Sequence, residues 1–210
     1  MILSISAETT AGEDDRLSVV LEGILKRYGE FKGMSVSYKR EIITKSMAML
    51  GDEAASDTAT GTIIFTPPHC LAIQQETPGR ETVTTDGEIL WYYIETTKTV
   101  YEYPAESLGR EIRLLSDIFS GLSNVCDSFD IELEENEEYS LKLVPNPLWD
   151  DMDHIVLLVE RGTYNIRVVE IYDLLGGITR FRLERPSTRN DLKKDDFIFK
   201  APSGVETVKE

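Results

Sequence analysis

The chain has 210 residues, 41% hydrophobic and 29% charged, which suits one well-filled domain and is the balance of an ordered soluble protein. Lys and Arg total 22 against 38 Asp and Glu, giving a net charge of −16 and a pI near 4.6. That field repels phosphate backbones and anionic lipid surfaces, excluding nucleic acid as a partner, and no apolar run approaches the ~20 residues of a membrane-spanning helix.

The N-terminus, "MILSISAETTAGEDD", opens on a short apolar piece that ends in small residues. It has no basic lead and falls short of a full signal-peptide core, so it reads as the remnant of a secretory signal whose front is missing. Residues 1–13 are therefore expected to be a disordered segment ahead of a single domain over 14–210.

The first regular element is expected in "DDRLSVVLEGILKRYGE", where Leu17, Val20, Leu21, Ile24 and Leu25 recur at helical spacing. Asp14 or Asp15 lies near its N-cap and Gly29 past its end. The period then becomes two, with Met34, Val36 and Tyr38 alternating against Ser35, Ser37 and Lys39 in a strand with one wet face. Residues 51–61 read as a small acidic loop, and Pro67-Pro68 as a turn between "GTIIF" and "CLAIQQE". "TVTTDGEILWYYIE" is a hairpin turning at Asp86-Gly87. Its second arm carries apolar residues on both faces, Ile89, Trp91 and Tyr93 against Leu90, Tyr92 and Ile94.

After "KTVYEYP" comes a second helix in "AESLGREIRLLSDIFSGL", with an oily stripe of Leu108, Ile112, Leu115, Ile118, Phe119 and Leu122. The strands "SFDIELE", "YSLKLVP", "HIVLLVER", "NIRVVEIYD" and "GITRFRLE" follow, and "FIFKAP" is expected as a last short one. The order is helix, hairpins, helix, hairpins, without the βαβ alternation of a nucleotide-binding sheet. Roughly ten antiparallel strands in one chain curl rather than stay flat, so the fold is expected to be mainly β, a single curved antiparallel sheet with helices laid on it.

Catalytic constellations are scarce. Asp150, Asp151, Asp153 and His154 offer donors for a divalent cation, but their spacing fits no ordered ion loop and a solvated turn is preferred. None of the nucleophile-elbow, phosphate-loop, dinucleotide or zinc-helix motifs occurs, so no cofactor and no enzymatic activity are expected. Cys70 and Cys126 allow one disulfide in an exported protein or two buried thiols. What remains is much apolar surface, either ordinary core or a surface that binds something apolar.

Over nearly its whole length, from about Leu17 to Val208, the chain resembles the periplasmic outer-membrane lipoprotein carrier family of the LolA type. The resemblance rests on "GTIIFTPPHCLAIQQETPGRETVTTDGEILWYY", where Pro78, Asp86, Gly87, Trp91 and Tyr93 match the family hairpin. It rests equally on Asp173, Gly177, Thr179, Phe197, Phe199, Pro202, Gly204 and Val205 in the C-terminal stretch. The chain departs from the pattern at Pro67, where the carriers usually place a lid-latching Arg, and at Leu71 and Ile73, where they carry aromatics.

The resemblance implies an open half-barrel whose concave face is covered by helices acting as a lid over a cavity for acyl chains. The wall would be Val36, Tyr38, Ile63, Phe65, Leu71, Ile73, Leu90, Tyr92, Ile94, Leu141, Leu143, Leu157, Phe181 and Leu183. The lid would be Leu17, Leu21 and Ile24 with Leu108, Ile112, Leu115, Ile118, Phe119 and Leu122. It also implies a monomer in the periplasm that is loaded with lipoprotein by an inner-membrane ABC-type release complex and unloaded at an outer-membrane acceptor. The rival readings are a paralogue carrying another lipid, a lipid-sensing or lipoprotein-sensing regulatory domain of the same fold, and a lipid-acting enzyme using Asp150, Asp153 and His154.

Overall fold

Strand alternation sets which side chains meet. The computed structural model describes residues 8–29, 31–46, 57–105, 110–122 and 125–209. In the first half of the sheet are β1 (Met34–Ile43), β2 (Asp57–Thr66), β3 (Cys70–Thr77), β4 (Glu81–Thr85), β5 (Ile89–Ile94) and β6 (Thr99–Pro104). The second half holds β7 (Phe129–Glu135), β8 (Tyr139–Pro145), β9 (Met152–Val159), β10 (Ile166–Asp173) and β11 (Ile178–Thr188), and β12 (Glu206–Lys209) closes the chain. All join one 12-stranded sheet in the order β12-β6-β5-β4-β3-β2-β1-β11-β10-β9-β8-β7, open because its two end strands do not pair.

Residues directly opposite across antiparallel strands share a face. Val36, Ile63, Ile73, Val83, Tyr92 and Tyr101 therefore form one cross-strand row. Leu133, Leu141, Leu157, Val169 and Phe181 form another. Pairing of β1 with β11 sets Tyr38 opposite Leu183 and Arg40 opposite Phe181, so both rows belong to the same, inner, face.

Two α-helices, α1 (Glu8–Gly29) and α2 (Arg110–Phe119), lie against that face among the described residues. Val20, Ile24 and Tyr28 of α1 and Leu114, Leu115, Ile118 and Phe119 of α2 merge with the inner-face residues into one hydrophobic cluster. The Phe119 ring lies 6.0 Å from Phe65 and 6.4 Å from Tyr28, joining sheet and both helices. Ile24 and Ile118 are fully buried, each stabilising the packed state by about 2 kcal/mol. Polar contacts orient α1: the Ile166 amide donates to the Tyr28 hydroxyl at 2.9 Å, and Arg27 Nε donates to Asn165 Oδ1 at 2.8 Å.

Several sequence expectations shift. Helix α1 begins at Glu8, upstream of Asp14, and contains Gly29. The segment Glu8–Asp15 contains no proline, so nothing in the backbone stops the helix running further back than the apolar stripe alone indicates. Of the expected loop 51–61, residues 51–56 lie outside the described residues and Asp57–Gly61 belong to β2. The expected strand "FIFKAP" is instead the end of a 3-10 turn (Lys194–Phe197) and irregular chain, since its aromatics pack onto the sheet's outer face rather than alternating. The true last strand, β12, pairs parallel with β6, so the sheet is not wholly antiparallel.

Asp86 closes the β4–β5 hairpin by accepting the Glu88 and Ile89 amides on Oδ1 at 2.9 and 3.0 Å. Gly87 has φ +92°, a conformation that costs little only without a Cβ.

Candidate functional site

The inner face between the sheet and the two helices is the largest apolar assembly in the molecule. The register places every residue expected in the wall on it. Met34 opposes Phe65, Phe65 opposes Leu71, and Leu71 and Leu90 share Thr85 as partner, which adds these to the Val36–Tyr101 row. Leu143 opposes Ile155, two residues along β9 from Leu157, and Ile94 opposes Glu81, two residues before Val83 in β4. Ile63, Leu141, Leu143 and Leu157 are wholly buried beneath the helices, whereas Ile73, Tyr92 and Ile94 are half-buried. Leu90, Tyr92 and Ile94 lie beyond the main cluster, toward β6.

Of the helix residues, Ile24, Leu115, Ile118, Phe119 and Leu122 are buried and Leu17 and Leu21 half-buried against the same cluster. Ile112 falls within α2, and Leu108 lies outside the described residues.

Under α2 the packing is incomplete. A cavity of about 140 Å³ is bounded by Tyr38, Arg40, Ile73, Gln75, Glu81, Val83, Leu115 and Phe181. Four of these, Arg40, Gln75, Glu81 and Val83, are not among the residues expected in the wall or the lid, although the sequence carries a signal. Continuing the inward set Met34, Val36, Tyr38 by one step reaches Arg40. Gly61 stands between Tyr38 and Gln75 in the cross-strand row, at a bulge in the β2–β3 pairing. A Cβ there would collide with the Gln74 carbonyl, so glycine lets the two backbones approach.

The polar groups of this cavity are unevenly satisfied. Tyr92 donates to Glu81 Oε2 at 2.7 Å, and Gln75 Nε2 donates to the Gly79 carbonyl at 3.0 Å. Burial, helped by the Glu81 carboxylate, pushes the Tyr92 hydroxyl up to about 12. Burial likewise raises Tyr38, with the Arg40 cation opposing. Arg40 Nε is inaccessible to solvent and has no hydrogen-bond partner among the described residues.

Elsewhere, His154 stacks on Tyr172 with ring centroids 4.2 Å apart and its Nδ1 lies 2.7 Å from Asp153 Oδ2. Among the described residues no group of three or more His, Cys, Asp or Glu side chains could hold a metal ion. Cys70 is a buried free thiol, raised by burial, whose Sγ donates to the Asp86 carbonyl at 3.6 Å. The Cys126 side chain lies outside the described residues.

The family model described as outer membrane lipoprotein carrier protein LolA matches residues 48–200. The chain belongs to the LolA family. An outer-membrane lipoprotein carrier protein of Halorhodospira halophila is 29% identical over 131 residues, which is 61% of this chain and 59% of that protein. One of Alkalilimnicola ehrlichii is 29% identical over 133 residues, 62% of this chain and 59% of that protein. The match thus spans less than two-thirds of either relative's length. Among solved structures, an uncharacterized conserved protein from Thermus thermophilus superposes with a TM-score of 0.58 at 12% identity, covering 93% of this chain and 99% of that one. The LolA match includes β2 to β11 and α2, and therefore most of the inner face.

Proposed function

We propose that this protein is a periplasmic carrier that takes the acyl chains of lipoproteins onto the inner face of the sheet and shuttles them from the inner to the outer membrane. The observation that carries this reading is a continuous apolar inner face, built by both halves of one open sheet and covered by separate amphipathic helices rather than by a second sheet. LolA family membership supports it, as do the names of the two relatives.

The energetics set how such a carrier must work. Each buried methylene is worth ~0.8 kcal/mol, so one long acyl chain gains roughly 10 kcal/mol on entering the protein. A cavity of about 140 Å³ is well below the ~300 Å³ at which small-molecule sites begin, so a chain enters only as α1 and α2 move off the sheet. Buried Ile118, Phe119 and Ile24 then lose their contacts, and that loss offsets part of the gain, keeping the cargo releasable. Energy for loading would come from an inner-membrane ABC-type complex, and unloading would run downhill to an outer-membrane acceptor.

Protein purified from membrane-containing cells and extracted with organic solvent is expected to release acylated species detectable by mass spectrometry. No lipid in the extract, together with no binding of an apolar fluorescent dye, would sink the reading.

A further inference from the structure

Arg40 is a feature of the inner face that an ordinary apolar wall does not explain. It sits mid-strand in β1, directly opposite Phe181 on one side and Ala59 on the other, and lines the cavity under α2. A guanidinium offers only donors, and here Nε is shielded from solvent and donates to nothing among the described residues. Among the described residues no carboxylate forms an ion pair with Arg40; the other charged group of the cavity, Glu81, instead accepts from Tyr92. Arg40 is half-buried and only its Nε is shut off from solvent, but a shielded donor without an acceptor is costly, and among the described residues that acceptor is missing. The space is a cavity rather than packed side chains, and its other walls, Ile73, Val83, Leu115 and Phe181, are hydrocarbon.

Tyr38 and Glu81 also face the cavity, and Tyr92 holds the Glu81 carboxylate. The two tyrosines remain neutral in the physiological range, since burial raises both. Among the described residues the Glu81 and Glu76 carboxylates, both felt by Tyr38, would repel an anion, and Tyr92 already occupies one oxygen of Glu81. Beyond Tyr92 the inner face continues as stacked phenol rings, Tyr92 on Tyr101 at 6.3 Å and Tyr101 on Tyr103 at 6.4 Å. A hydrocarbon tail leaving the Arg40 end has that half-buried aromatic surface to follow.

We propose that Arg40 anchors the anionic head group, a carboxylate or a phosphate, of a single acyl amphiphile whose tail lies on the apolar rows beneath and beyond α2. This rests on the acyl-binding half of the carrier reading and departs from it in cargo, since acyl chains linked to a protein end in no free carboxylate or phosphate: the cavity selects by head-group charge as well as by chain. Charge-assisted hydrogen bonds to guanidinium are the strong kind, and displacement of a neutral ester by a carboxylate at such a donor is worth about tenfold in affinity or more.

The test uses delipidated full-length protein and displacement of an apolar fluorescent probe by oleate, methyl oleate and inorganic phosphate. Oleate is expected to bind about tenfold more tightly than its methyl ester, and phosphate alone to compete only feebly. Arg40→Gln is expected to bring oleate down to the level of the ester while leaving the ester unchanged, and Arg40→Lys to retain part of the preference. Should the Gln variant fail to fold, as judged by circular dichroism, the Lys variant and the comparison of ligands on the native chain decide. Equal binding of oleate and methyl oleate overturns the role of Arg40 and leaves the carrier reading standing. Phosphate binding as tight as oleate's overturns the amphiphile and leaves a plain anion site. Failure of both oleyl ligands to bind overturns a single-chain amphiphile as occupant, while the organic extract separately decides the carrier reading.

Discussion

The two halves of this sheet share one inner face but have opposite outer faces. From β7 to β11 and onto β1, the outer side is a ladder of charges. Lys142 meets Glu132 at 3.1 Å, Arg180 meets Glu170 at 2.6 Å and Glu41 at 3.6 Å, and Lys39 meets Glu41 at 2.7 Å. From β2 to β5 the outer side mixes threonines with an apolar patch of Ile64, Cys70, Ala72, Trp91 and Tyr93, and the chain's own C-terminal segment roofs that patch. Phe197 packs with Cys70 and Ala72, Phe199 lies 5.1 Å from Tyr93, and Thr84 Oγ1 donates to the Phe197 carbonyl at 3.0 Å. One half is finished by water and ion pairs, the other by a strap of irregular chain. The lesson is that an open sheet can hold one apolar face for a special purpose only if each part of its other face is separately accounted for.

The strongest way to break this contrast is to remove the roof. Phe197 is 1% exposed, and Phe197→Ala is expected to cost about 3–5 kcal/mol, read as a lower urea midpoint. The same variant should speed alkylation of Cys70 under native conditions, measured on its peptide by mass spectrometry. A cost below about 1 kcal/mol would mean that the strap is decoration and the contrast false. On the charged half, Arg180→Ala leaves Glu41 and Glu170 facing one another without their shared cation. It is expected to cost about 1–2 kcal/mol, shrinking in high salt because the groups are partly exposed. Salt-independent loss would point to packing rather than charge.

Titration sharpens the comparison at a smaller scale. Burial and the Glu170 carboxylate push Tyr172, on the charged half, up to about 12. A raised folded-state value means the folded protein holds this proton more tightly than the unfolded chain, whose phenol titrates near ~10. The stabilisation is complete below that value and is lost as pH climbs from there toward 12. Tyr172→Phe should flatten part of the fall in thermal midpoint over that window, Tyr92 supplying another part. The smallest effect is expected at the exposed tip of the β10–β11 hairpin, where Leu174→Ser with Leu175→Ser should change stability by about 0.5 kcal/mol or less.

Much of this is legible in the residues. In β8 to β11 clean alternation announces both the strands and the inner set, because one face is apolar and the other charged. In β5 alternation fails, and that failure is informative: Trp91 and Tyr93 point out toward the half that the strap covers, while Leu90, Tyr92 and Ile94 point in. The strap itself reads as a strand, since Phe197 and Phe199 alternate with their neighbours much as a strand would. Nothing local distinguishes a segment that pairs in a sheet from one that lies across it. Arg40 escapes a reading of the sequence for a different reason. A charged residue near the end of an alternating run reads as the run's exit to water, and only the pairing with β11 and β2 shows that β1 continues to Ile43 with Arg40 still facing in.

The parallel pairing of β12 with β6 has a consequence in time. Val208 sits opposite Tyr101, so a strand made long after β6 completes a surface whose other members emerged before it. Until the strap arrives, Ala72, Trp91 and Tyr93 have no cover, and the β6 edge offers unpaired amides to any passing strand. The interval between emergence of β6 and docking of β12 is therefore when the chain is most prone to aggregate, and a chaperone would have most to shield.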